Sequence, residues 1–126
     1  MPSQNNSGAQ HQKDDSTTVV ATTAVVASRF IAYDGGYATA AGGVKDAQGI
    51  GENDAAAGDA ISVVTCYSYT LEASAPIAFG DYVMPAADAT GRGAVGTLLN
   101  HCGRALGAAT AAGQLVEVQI VRHVHP

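Results

Sequence analysis

The sequence predicts an all-β fold, a small antiparallel β-barrel or sandwich with Gly/Ala-rich turns, at most one short helix and an extended N-terminal arm. Three observations carry that expectation. Residues 60–72, AISVVTCYSYTLE, alternate in period two and are rich in β-branched and aromatic side chains. Glycine-bearing turns recur at short intervals, leaving room only for short strands between them. A sustained helical period is almost absent, which together with many short strands indicates a barrel or sandwich.

Taken in order, residues 1–16, MPSQNNSGAQHQKDDS, hold one Met, one Ala and no other hydrophobic side chain. Such a segment cannot form a core and is expected to be disordered when the chain is alone. It reads as a polar arm ahead of a single β-domain, residues 17–126. Fully extended it would reach about 55 Å, against a radius of gyration of about 14 Å for a domain of this size. From Thr17, TTVVATTAVVAS is β-branched and reads as extended; SRFIAY continues it to a turn at Asp34-Gly35-Gly36.

The 60–72 strand would place Ile61, Val63, Thr65, Tyr67, Tyr69 and Leu71 on one face, and Ser62, Val64, Cys66, Ser68, Thr70 and Glu72 on the other. After Pro76, IAFGDYVMP turns or bulges at Gly80-Asp81, and DATGRG (88–93) reads as a loop. Residues 94–107 are ambiguous: they allow a helical turn around Leu98–Cys102, followed by a short strand up to Gly107. The last strand, 115–125, sets Val116, Val118, Ile120 and Val124 against Glu117, Gln119, His123 and His125.

Two stretches repeat a pattern: ENDAAAGDAISVV (52–64) and AATAAGQLVEV (108–118). Alanine favours helix, but each run has three alanines or fewer before a glycine, too few to repay helix nucleation. Gly58 and Gly113 supply the free φ that turns the chain into the strand behind them. The repeat is turn-into-strand, with Gly80 as a third turn glycine.

Composition narrows the function classes. The chain has 126 residues, 25 of them Ala, no Trp and a formal net charge of −5. A core so light in large side chains yields modest stability and leaves room for self-association or docking. The six Lys and Arg are scattered singly, so no basic stripe exists to neutralise phosphates, and direct nucleic-acid binding is not expected. No secretory n-region and h-region opens the chain and no apolar run reaches membrane length, so a soluble protein with no membrane partner is expected, made in the cytoplasm or exported by a route the sequence does not show.

No constellation of side chains calls for an enzyme or a cofactor. His123 and His125 would share a strand face about 7 Å apart, and His101-Cys102 could complete a metal site; terminal polar residues on an exposed or interface face need no metal. Cys66 and Cys102 form no framework and read as reduced, partly buried thiols, with one disulfide as the alternative. Asp14-Asp15 and Glu52-Asn53-Asp54 lack a nucleophile or base beside them. GRGAVG (91–96) lacks the strand–helix context of a dinucleotide loop. The tyrosines at 33, 37, 67, 69 and 82 read as core or subunit interface, with Tyr67, Tyr69, His123 and His125 as interface candidates. The alternative is a small carbohydrate- or peptide-binding module that stacks ligand on exposed tyrosines.

Three segments in this order resemble the capsid cement, or head decoration, proteins of tailed phages. GIGENDAAAGDAISVVT resembles that family's glycine, variable turn, Ala-Ala-Gly-acidic and Val-rich strand. IAFGDYVM resembles its Gly-Asp segment, with Gly80, Asp81 and Val83 in register. GRALGAATAAGQLVEVQIV resembles its closing strand, Ala-Gly turn and V-x-V strand. The chain departs from the family in its polar arm, in Gln114 where an acidic residue is common, and in the tyrosines of CYSYTLEAS.

The resemblance implies a structural, non-enzymatic virion protein, synthesised in a bacterial host and bound to the outer capsid surface. There it would bridge and stabilise neighbouring major capsid subunits, as a homotrimer or, in some members, a dimer. On that reading the arm lies over adjacent capsid subunits, and Gln4, Asn5, Asn6, Gln10, His11, Gln12 and Lys13 are its contacting residues, multiplying a weak contact over many copies.

Overall fold

The computed structural model describes residues 13–39 and 43–121. Eight strands are formed: β1 (Lys13–Val20), β2 (Phe30–Ala32), β3 (Ala47–Gly51), β4 (Ala60–Glu72), β5 (Tyr82–Pro85), β6 (Gly93–Val95), β7 (Gly103–Ala105) and β8 (Leu115–Ile120). Among the described residues the one helical element is a single 3-10 turn, Gly43–Lys45. The fold is all-β, as the sequence predicts, and its sheet is nearly closed into a barrel.

The strands are ordered β2-β3-β4-β8-β7-β5-β6, with β1 also paired to β4 and every strand pair antiparallel. A parallel bridge from Ala73, just past β4, to Gly93 of β6 brings the β6 end of this order back to β4. Closure of this kind removes free edges that would otherwise pair with other chains. The thirteen residues of β4 join two regions: β1 and β3 lie along its first part, and β8 along Ser68 to Glu72.

β1 begins four residues before the hydrophobic pattern does. Lys13 stands opposite Tyr67 and Asp15 opposite Cys66, with two compensating register shifts before the regular pairing Ser16↔Val64 to Val20↔Ala60. Ladder hydrogen bonds come from the backbone and need no apolar side chain, so a polar stretch joins the sheet. Beyond Val20 the β-branched run leaves the regular ladder but stays tied to it, through the Val25–Ala55 bridge and through Ser28, whose N–H donates to the Gly51 carbonyl and whose carbonyl accepts the Glu72 N–H, each at 2.8 Å.

The core is aliphatic and in two parts. Ile31, Ile61, Val63, Val25 and Ala21 pack together near β1. Inside the barrel, Phe30, Ile50, Leu71, Ile77, Val83, Val116 and Val118 pack with small alanines and Cys102. Phe30 is the one aromatic side chain among the largest fully buried groups, in keeping with the light composition.

The repeated turns act as punctuation. Gly58, Gly80 and Gly113 have φ of +90°, +88° and +87°, and β4, β5 and β8 start within two residues of each. At that φ a side chain would strain the backbone, and these turns need glycine for this reason alone, because space around each is open. The helical turn weighed around Leu98–Cys102 is not formed. Thr97 and Asn100 close a bend instead: the Thr97 N–H donates to the Asn100 carbonyl at 2.9 Å, and the Asn100 N–H to the Thr97 hydroxyl at 3.1 Å. A threonine side chain that captures a local N–H competes with helix formation.

Candidate functional site

Both ends of the described chain meet β4 at neighbouring residues. Lys13 of β1 faces Tyr67, and Gln119 of β8 faces Ser68. Lys13 and Gln119 therefore lie close together, near the two ends of the described chain. Of the residues read as an arm, Gln4, Asn5, Asn6, Gln10, His11 and Gln12 lie outside the described residues, as do His123 and His125. Lys13 lies in β1.

The tyrosines divide by environment. Tyr67 is 43% exposed in the middle of β4, whereas Tyr69 packs against the barrel core. Tyr33 is 63% exposed. The Tyr37 hydroxyl accepts the Val26 N–H at 2.9 Å, with the Arg29 guanidinium 5.5 Å over its ring. Tyr82 lies against the His101 ring at 4.5 Å and beneath Arg104 at 4.7 Å. Tyr37 and Tyr82 are thus used within the domain, while Tyr33 and Tyr67 face outward.

The acidic residues are engaged in hydrogen bonds within the domain. Asp54 accepts the Ala27 N–H at 2.8 Å, Glu52 accepts the Ser62 hydroxyl at 2.6 Å, and Asp15 accepts the Ser16 N–H at 2.9 Å. Among the described residues no group of three or more His, Cys, Asp or Glu side chains is placed to hold a metal. Cys66 and Cys102 are free thiols; burial, and secondarily the Asp46 carboxylate, push the Cys102 thiol well above its ordinary pKa.

Two features had no sequence signal. The β6–β7 loop carries Leu98 and Leu99 at 69% and 70% exposure, an apolar tip beside half-exposed Val95. A cavity of about 360 Å³ opens between β2, β3, β4 and the end of β8. Its polar lining is Tyr33, Asp46, Gln48 and Thr65; Ala47, Ile120 and Val121 supply apolar surface. Asp46 is only 8% exposed, and its carboxylate accepts the Ala47 N–H at 2.8 Å. The Gln48 amide donates to the Ala32 carbonyl at 2.9 Å. These residues come from four separate parts of the chain, so only the folded topology brings them together.

No protein-family profile matches the chain, and no curated protein matches it. Among solved structures, the fold is similar to the crystal structure of the head fiber gp8.5 N base of bacteriophage phi29. The TM-score is 0.64, over 86% of this chain and 98% of that one, at 21% sequence identity. What the two chains share is the fold.

Proposed function

We propose that this chain is a structural virion protein of a phage that binds the outer surface of the capsid and stabilises neighbouring major capsid subunits. The observation that carries the reading is the match, over almost the full length of both chains, to a domain that forms the base of a phage head fiber. The three segments resembling capsid cement proteins support it independently, because their turn glycines sit at the starts of β4, β5 and β8.

On this reading the protein contacts the major capsid protein through residues 1–12 and the surface where they root, beside exposed Tyr67. A polar arm of this composition gains order and hydrogen bonds when laid on a protein surface, and many copies turn a weak contact into stable coverage. Self-association, as a homotrimer or a dimer, would bury outward apolar side chains that the light core leaves exposed. An enzymatic role, a cofactor and direct nucleic-acid binding form no part of the proposal.

Deletion of residues 2–12 tests the arm, because it stops short of β1 and leaves its pairing to β4 intact. The expected result is an unchanged thermal transition with capsid occupancy lowered by about tenfold or more. Unchanged occupancy would remove the arm from the reading. Failure of the full-length chain to bind capsids of its own phage would remove the reading itself. Light scattering on the purified protein reports whether it is a trimer, dimer or monomer.

A further inference from the structure

The tip of the β6–β7 loop leaves its two leucines in solvent, and an apolar groove opens nearby on the same end of the domain. We propose that Leu98 and Leu99 of one copy seat in this groove on a second copy of the chain. The proposal rests on the self-association put forward above and names the surface that carries it. Exposure of the leucines is built into the loop. The Thr97 N–H donates to the Asn100 carbonyl, the Asn100 N–H donates back to the Thr97 hydroxyl, and His101 Nδ1 lies 3.1 Å from the Thr97 carbonyl. A tip fixed by bonds of its own loses little freedom on entering a pocket, so its burial goes into binding.

The groove, about 480 Å³ and open to solvent, forms where Ile77 and Ala109 pair, each N–H donating to the other's carbonyl at 2.9 and 2.8 Å. Pro76, Ala78 and Ala108 extend the apolar surface. The polar side chains of its described lining are already engaged. The Asp81 carboxylate accepts the Ala78 N–H at 2.9 Å, and the Thr110 N–H and hydroxyl donate to Gln114 Oε1 at 2.7 and 3.2 Å. Small residues leave room here, and the groove suits branched aliphatic side chains better than a polar ligand.

Two observations favour a second copy as the occupant. First, one chain carries both halves of the contact side by side. The Gly96 N–H donates to the Tyr82 carbonyl at 2.7 Å, which sets the base of the loop next to Asp81 at the edge of the groove. A contact between unlike patches closes when two copies exchange knobs, or as a ring. Second, the charges agree. The chain has a net charge of −5, yet residues 97–100 and the described groove lining hold a single charged residue, Asp81. Arg104, paired with Tyr82 and donating from Nε to the Gly80 carbonyl at 2.9 Å, stands close to it. Copies of an acidic protein meet on this end without stacking like charges, and interface cores are depleted of charge in the same way.

The test is analytical sedimentation of the full-length chain from about 5 to 500 μM, a range in which the wild type is expected to self-associate. Leu98→Ser combined with Leu99→Ser, and separately Ala108→Arg, are each expected to raise the midpoint concentration about thirtyfold or more. All three positions are exposed, and an unchanged thermal transition shows that the fold is kept. Val44→Ser, at a 65% exposed position in the 3-10 turn, is expected to leave association as it is. Mixing the leucine variant with Ala108→Arg brings one intact groove to one intact knob, so a mixed species that neither forms alone is expected. A wild type that stays monomeric overturns the inference together with self-association itself. Association that is unchanged in either variant, weakened as much by Val44→Ser, or not recovered on mixing overturns this surface alone.

Discussion

The Ser68 hydroxyl donates a hydrogen bond to the Glu117 carboxylate, and both side chains are sealed from solvent, at 0% and 1% exposure. One strand apart, on β4 and β8, they place a carboxylate in the sheet with its Oε2 paired and its Oε1 without a hydrogen-bond partner. A buried acceptor that loses its donor bears the full cost of desolvation. Ser68→Ala is therefore expected to destabilise the domain by about 2–3 kcal/mol, and Glu117→Gln, which keeps an acceptor without the charge, by less than about 1 kcal/mol. Urea unfolding of both variants and the double variant gives the coupling; equal losses in the two single variants would contradict this ordering.

Gly49 is the tightest backbone approach in the sheet. A Cβ there would sit 2.1 Å from the Val64 carbonyl oxygen and 2.8 Å from a Val63 methyl. Backbone must move to admit even alanine, so Gly49→Ala is expected to cost about 3 kcal/mol, within the range of core overpacking. Gly58→Ala meets open space and strains only its left-handed φ, at about 1 kcal/mol. Thermal melts followed by circular dichroism should rank the two in that order.

The two cysteines should react at different rates. Cys66 is half-buried on β4, whereas Cys102 is 3% exposed among the barrel residues and its thiol is held protonated by burial. Under native conditions a maleimide is expected to modify Cys66 first and Cys102 only on unfolding, as mass spectrometry of the peptides would report. Rapid native labelling of Cys102 would mean that the barrel opens at β7.

Asp34 ties acid stability to one turn. Its carboxylate is held below the ordinary value by the Lys45 ammonium, and next by the Gly36 N–H at 3.0 Å. A folded-state pKa lowered in this way contributes stability that is fully present above the unfolded value, about 3.9, and is lost as pH falls through the folded value. The stability gap between wild type and Lys45→Ala is therefore expected to be constant near neutrality and to shrink below about pH 4. A gap that does not change on acidification would show that the pair contributes nothing through Asp34.

Much of this was legible because local rules agreed with the fold. β4 declares itself through period-two alternation, and Gly58, Gly80 and Gly113 through the left-handed turns their strands require. The first residues of β1 were illegible because backbone pairing leaves no mark in side-chain hydrophobicity. Glu117 reads as an outward residue by alternation, yet it is buried, because neighbouring structure covers the second face of β8 there. Leu98 and Leu99 invite a helix by propensity, and the Thr97–Asn100 bend exposes them instead. The cavity could not be read at all, since residues 33, 46–48, 65 and 120–121 become neighbours only through the crossing of β2, β3, β4 and β8.

The pairing of Lys13 with Tyr67 and of Gln119 with Ser68 has a consequence for how the barrel can be rewired. Two residues opposite adjacent positions of one strand lie within about two strand spacings, roughly 10 Å. The described chain is thus almost a ring, and a linker of a few glycines could join its ends while new ones are cut at the exposed Ala57-Gly58 turn. Such a circular permutant would keep every strand pair and move both ends to the opposite end of β1, at the turn that leads into β4.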